Sequence, residues 1–281
     1  MYQANPPLPP SETMPTMYDL PSELVGESGF PDEFHRIQAD GLTQTCQPPN
    51  HPPDQFFVAS DLNIYYDPRH PQWYKRPDWF LVLGVSRFTK QEDLRLSYVV
   101  WQEGIAPFLV VELLSPTTEQ EDLGQTLRDV NKPPTKWEVY EQILRIPYYV
   151  IFDRYTNRLR VFRLEGTRYQ ELSLPDDRLW LEEIQLGLGI WQGEFEGTTG
   201  LWLRWYDANG EWIPTHKEQA AQEHQRAEEE HQRAEEEHQR VQQMEIALAE
   251  ESLRAQQAEL KAAQLAEKLR SLGVDPDSID S

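Results

Sequence analysis

The chain has 281 residues, a net charge of −22 and one cysteine, Cys46. That acidity argues against general coating of nucleic acid, because duplex affinity rests on cationic neutralisation of phosphates. A single cysteine excludes an intramolecular disulfide and fits a reducing compartment.

Residues 1–30, beginning "MYQANPPLPPSETMPTMYDLP", are rich in Pro, Ser and Glu and predict a flexible or loosely draped N-terminus. They carry no basic n-region or apolar h-region, and no later run has the apolar length of a membrane span. The expectation is therefore a soluble cytoplasmic protein with no membrane partner. "PPNHPPDQ" leads into "FFVASDLNIYYD", where Phe57 to Tyr66 predicts a strand. A second strand is predicted through Trp79–Val85, with Asp78 at its mouth. "RLSYVVWQEG" and "PFLVVELLS" predict two adjacent strands joined by a turn at Gly104, and "TKWEVYEQILR" has helical spacing at Trp137, Tyr140, Ile143 and Leu144. "PYYVIFDR" and "LRVFRLEG" predict a hairpin around "YTN", followed by "RYQELSL" as a third strand. Turn residues "DANG" then connect "LWLRWY" to "EWIPT". This order predicts a mixed sheet with packed helices.

All nine tryptophans lie between Trp73 and Trp212, so core-forming sequence ends near residue 215. From His216 onward there are 16 acidic and 8 basic residues, a balance of −8 that leaves −14 for residues 1–215. "EHQRAEE" recurs with a seven-residue period from Glu223, and Ala220, Ala227, Ala234, Val241, Leu248, Ala255, Ala262 and Leu269 share that period. Three residues later the series runs Glu223, Glu230, Glu237, Met244, Glu251, Ala258, Leu265, Leu272, so the seam becomes apolar only after about Val241. A long acidic helix is expected over 216–272, supported by Glu229–Arg233 and Glu236–Arg240 pairs and ended by Gly273 and Pro276; residues 273–281 would form a flexible C-terminus. His224, His231 and His238 are two helical turns apart, too far to share one ion within a monomer.

One residue breaks the apolar run Phe108 to Leu114: Glu112. A carboxylate in a buried strand needs a partner. An internal ion pair with Arg or Lys is one solution. A shared divalent cation is another, because Asp78 lies at the mouth of a second apolar strand and hard cations prefer carboxylate oxygens. Asp122 follows the strand, and Lys136 and Tyr140 sit one turn apart on the next helix, where a lysine can orient water and offset phosphate charge. Asp61 reads as a strand-end residue rather than a third ligand. His35, His51 and His70 are read as lying in Pro-rich or polar loops without a Ser or Cys partner pattern, and "GLGIWQGEFEG" lacks the Lys and Ser/Thr of a phosphate loop.

The blocks "RPDWFLVLG", "PFLVVELLSPTTEQEDLG" and "TKWEVYEQILRIPYYVIFD" resemble the Uma-two family of restriction-endonuclease-like proteins, over roughly Phe56 to Arg163. The resemblance implies the PD-(D/E)xK nuclease superfamily: a restriction-endonuclease-like mixed β-sheet flanked by helices, here over 31–215; the heptad tail, read from its own period as a long C-terminal helix or coiled coil, lies outside it. It implies Mg2+, with Mn2+ as a substitute, held by Asp78, Glu112 and the Leu113 carbonyl. It further implies Lys136 assisting the attacking water, Tyr140 on the same helix, and Asp153 closing the next strand. The substrate would be a DNA phosphodiester reached in a local cleft; separately, the heptad seam of the tail predicts a homo-oligomer through the C-terminal helix. Two features depart from the pattern: Leu114 stands at the superfamily's usual lysine position, and "TLRDVNKPP" is inserted before the helix, with Arg128 and Lys132 as alternative cations. The rival expectation is a catalytically lapsed fold that serves as an interaction module through its coiled coil.

Overall fold

The computed structural model describes residues 14–16, 19–20, 32–88, 93–114, 124 and 133–273. It divides into two compact units, Met1–Thr215 and His216–Ser281. In the first, helix α1 (Glu33–Thr45) precedes β1 (Phe56–Ser60), β2 (Ile64–Tyr65), β3 (Tyr74–Lys75), β4 (Trp79–Leu83), β5 (Tyr98–Val99), the single-turn α2 (Val100–Glu103) and β6 (Leu109–Leu113). Helix α3 follows, an α-turn at Lys136–Glu138 that widens into a π-turn at Val139–Ile143. Then come β7 (Tyr148–Asp153), β8 (Arg158–Glu165), β9 (Arg168–Glu171), β10 (Arg178–Leu181), β11 (Leu186–Phe195) and β12 (Thr198–Tyr206). The second unit is helix α4 (His216–Ser271), in which no residue is buried. Mixed sheets with helices, followed by a long helix, are thus the observed architecture. Among the described residues no helix is long and apolar enough to cross a membrane.

The main sheet has the order β1-β4-β6-β7-β8-β9, with β6 and β7 parallel and the other pairs antiparallel. A parallel pair needs a crossover, and α3 lies within it. Strand β6 is buried at all five positions, which is why it reads as an apolar run rather than an alternating one. Alternation still decides the faces. Leu109, Val111 and Leu113 enter a core shared with Ala39 and Leu42 of α1 and with Leu186, Leu188, Leu203 and Trp205 of the sheet β10-β11-β12. Val110 and Leu114 enter the opposite core with Phe80, Tyr140, Tyr149 and Ile151, and Glu112 shares their face. In the small sheet, Gly187 on β11 faces Tyr206 on β12, whose ring occupies the space a Cβ would need.

Two expected strands are divided differently. "FFVASDLNIYYD" breaks into β1 and β2 because Asp61 adopts φ 51 and is held there by Arg76, whose Nε lies 2.8 Å from Asp61 Oδ1. "RLSYVVWQEG" is not a strand beside β6. Only Tyr98–Val99 is extended, and it pairs in parallel with β2 in the separate sheet β3-β2-β5. The chain then coils through α2, ended by Gly104 at φ 78, while Arg95 pairs with Glu103 at 2.7 Å across the segment. Within the N-terminal stretch, Leu20 is buried against Tyr65 and Val99, and Trp101 Nε1 donates to the Pro15 carbonyl at 3.0 Å.

Candidate functional site

Glu112 is completely buried. Its two oxygens have separate partners: Lys136 Nζ donates to Oε2 at 2.9 Å, and the Tyr140 hydroxyl donates to Oε1 at 2.9 Å. Both partners come from α3, whose start is fixed by a capping box. The Thr135 hydroxyl accepts from Glu138 N–H, and the Glu138 carboxylate accepts from Thr135 N–H. Four residues separate Lys136 from Tyr140, so one turn of helix presents both to the same acid. Just beyond, Leu144 N–H donates to the Val139 carbonyl five residues back, and the widened turn buries Val139, Tyr140 and Glu141 in succession. Glu141 turns to β9, accepting from Tyr169 N–H at 2.8 Å and Arg168 Nη1 at 3.0 Å. Burial, reinforced by the Glu141 charge, pushes the Tyr169 hydroxyl well above the usual phenol range; it donates to the Ile146 carbonyl.

Asp78 immediately precedes β4, whose first residue, Trp79, pairs with Val111 of β6, the neighbour of Glu112. Asp78 Oδ2 accepts from Leu113 N–H at 2.6 Å. The Leu113 carbonyl accepts from His35 Nε2 at 2.9 Å. Both backbone polar groups of Leu113, the residue after Glu112, are therefore held by side chains from elsewhere in the fold. His35 is itself fixed, since Nδ1 lies 2.8 Å from Oδ1 of Asp32, the cap of α1, and Asp32 Oδ2 pairs with Arg154 at 3.0 Å. Burial alone would raise the Asp32 pKa. Hydrogen bonds from His35 and the charges of His35 and Arg154 outweigh it and hold the carboxyl below its ordinary range.

Sequence reasoning set His35 in a loop and missed its role; it lies instead in the first turn of α1 and is buried there. Its partner carbonyl is 78 residues away, and nothing local marks the pairing; the weak signal was Asp32 three residues before it as a helix cap. Lys136, expected to act on water, contacts the acid itself. Asp153 caps the β7–β8 hairpin, accepting from Tyr155 and Thr156 N–H groups and the Thr156 hydroxyl. Asp61 is engaged with Arg76, and Asp67 caps the turn at Arg69 and His70. Asp122, Arg128 and Lys132 lie outside the described residues. Among the described residues, no group of three or more His, Cys, Asp or Glu side chains converges as a metal cage.

Chemically, the arrangement joins a buried carboxylate to an ammonium and a phenol, beside a residue whose N–H is held by a second carboxylate and whose carbonyl is held by an imidazole. The chain belongs to the Uma2 family, described as "Putative restriction endonuclease", whose model matches residues 12–192. That span contains every residue of the candidate site and extends beyond the blocks that carry the sequence resemblance on both sides, while α4 lies outside it. No curated protein matches the chain.

Proposed function

We propose that the protein is a metal-dependent endonuclease hydrolysing DNA phosphodiester bonds. The observation that carries this reading is Glu112: a fully buried carboxylate held by Lys136 and Tyr140, with Asp78 bonded to the N–H of the next residue, Leu113. The donor chemistry fits Mg2+ or Mn2+. Asp78, Glu112 and the Leu113 carbonyl offer hard oxygen atoms, and two carboxylates supplemented by waters form an ordinary magnesium shell. When bound, the ion would polarise the phosphodiester and lower the pKa of an attacking water. Asp78 holds the Leu113 peptide in place, and His35 orients its carbonyl. Lys136 supplies positive charge where a pentacoordinate phosphate gains negative charge, and Tyr140 fixes the rotamer of Glu112. With a net charge of −22, DNA would be engaged through this local site and not by the surface at large.

A second reading is a lapsed nuclease fold acting as an interaction module. It is favoured by the same contacts, since Lys136 and Tyr140 already satisfy both Glu112 oxygens in the manner of a structural ion pair, and by Leu114 at the usual lysine position. Glu112→Gln separates the two. It keeps side-chain shape while deleting charge, and should abolish both calorimetric magnesium binding and magnesium-dependent nicking of supercoiled DNA. A wild-type protein that neither binds magnesium nor nicks DNA would leave the interaction module standing.

A further inference from the structure

Helix α4 has 56 residues, none of them buried, and would extend about 84 Å. Its apolar side chains stand in water: Val241, Met244, Leu248 and Leu265 are 47 to 70% exposed. With Val241 at position a of a heptad, Leu248, Ala255, Ala262 and Leu269 recur at a, and Met244, Ala258 and Leu265 at d. Glu251 is the one acid in this half of the seam. What covers such a seam is decided by the positions flanking it, because g and e residues set partner and orientation.

The g positions of this frame are Arg226, Arg233, Arg240, Ala247, Arg254, Lys261 and Lys268; beside the apolar half, the e positions are Glu245, Ser252, Glu259 and Ala266. One flank is basic and the other is acidic or neutral. In a parallel, in-register pair each g meets the e of the following heptad on the other helix. Arg240 then faces Glu245 and Arg254 faces Glu259, each pair occurring twice by symmetry. In an antiparallel pair g faces g and e faces e, which sets the basic flanks against each other. A second stripe, Ile246, Leu253 and Leu260, is also exposed, but it is bordered by Glu245, Glu250 and Glu259 and repels its own copy in either orientation. Arg254 also contacts Glu250 within the helix at 3.7 Å, a solvent-exposed pair that competes weakly.

We infer that α4 pairs with a second copy of itself as a parallel, in-register coiled coil through Val241–Leu269, tethering two copies of the N-terminal unit at the same end. Resting on the nuclease reading, this arrangement brings two sites to one duplex, so that both strands are cut.

The test uses the full chain, in which the native Cys46 is buried. Wild type should sediment as a dimer. Leu248→Cys and Leu265→Cys should each cross-link to itself under mild oxidation, since identical positions face each other only in the parallel pair. In an antiparallel pair overlapping the whole seam, Leu248 faces Leu265; cross-linking only in a mixture of the two variants would overturn the orientation, and a wild-type monomer would overturn the pairing. Arg240→Glu/Arg254→Glu should weaken the dimer about tenfold, and mixing it with Glu245→Lys/Glu259→Lys should restore association. Failure of that rescue refutes the flank argument. On plasmid DNA, wild type should give linear product and Arg240→Glu/Arg254→Glu mainly nicked circles. If no DNA is cut but self-cross-linking persists, the nuclease reading has failed and the parallel pair stands.

Discussion

Replacing Lys136 by methionine removes the cation from Glu112 while leaving the chain length of the side chain nearly unchanged. The Glu112 side chain is 1% accessible and that of Lys136 16%, so the substitution leaves a buried carboxylate without its ammonium partner while the Tyr140 hydroxyl still donates to the other oxygen. Breaking a buried pair from one side costs about 3–5 kcal/mol; the partial exposure of Lys136 places this case near about 3 kcal/mol. With a urea slope of about 2 kcal/mol/M, the midpoint should fall by about 1.5 M. Tryptophan fluorescence is the suitable probe, because all nine tryptophans precede α4 and report the N-terminal unit alone. Magnesium should then recover stability, since a divalent ion on Asp78 and Glu112 replaces the lost charge. At one hundred times its dissociation constant the gain is about 2.7 kcal/mol. A loss below about 1 kcal/mol would show that Glu112 does not depend on Lys136. A large loss with no recovery in magnesium would make Glu112 an internal ion-pair partner and refute the metal assignment.

Other consequences are testable in the same way. His35→Leu leaves the Leu113 carbonyl and the Asp32 carboxylate without their ring donor and should cost about 1–3 kcal/mol, whereas His35→Gln, which keeps an N–H donor, should cost less; thermal unfolding distinguishes them. Gly187→Ala drives a methyl group into space the Tyr206 ring already fills, and should cost about 1–3 kcal/mol by calorimetry. The Asp67 carboxyl is depressed to about 2, chiefly by the Arg69 side chain, against an opposing effect of burial and with help from His70. A depressed acid stabilises the fold above its unfolded pKa of about 3.9 and loses that contribution as pH falls through about 2. Asp67→Asn should therefore flatten the stability profile between about pH 4 and pH 2.

The main sheet and its acid were legible because β6 is buried on both faces and writes itself as a hydrophobic run that Glu112 interrupts. The helix carrying Lys136 and Tyr140 was legible from spacing, and four residues suffice to put both on one face. Less was readable where partners come from distant sequence. Tyr98 and Val99 have the composition of a central strand, yet β2 captures them in parallel and the chain coils immediately afterwards. The contact of Lys136 with Glu112 depends on the β6–α3–β7 crossover, whose geometry no local pattern specifies. His35 showed only its cap; its role depends on a carbonyl, and every residue has one.

The π-turn at Val139–Ile143 makes the site sensitive to a kind of change that composition does not register. Removing the Gln142 codon from this stretch would restore an ordinary helical pitch without deleting Tyr140 or Glu141. The following residues would then rotate by about 100° relative to the preceding turn. Tyr140 could keep Glu112, but Leu144 and Ile146, which share its core, would lose their places. The extra residue thus works as a spacer between the candidate site and the lead into β7. Length variation here would report loss of that spacing even in a chain where Asp78, Glu112, Lys136 and Tyr140 were all retained.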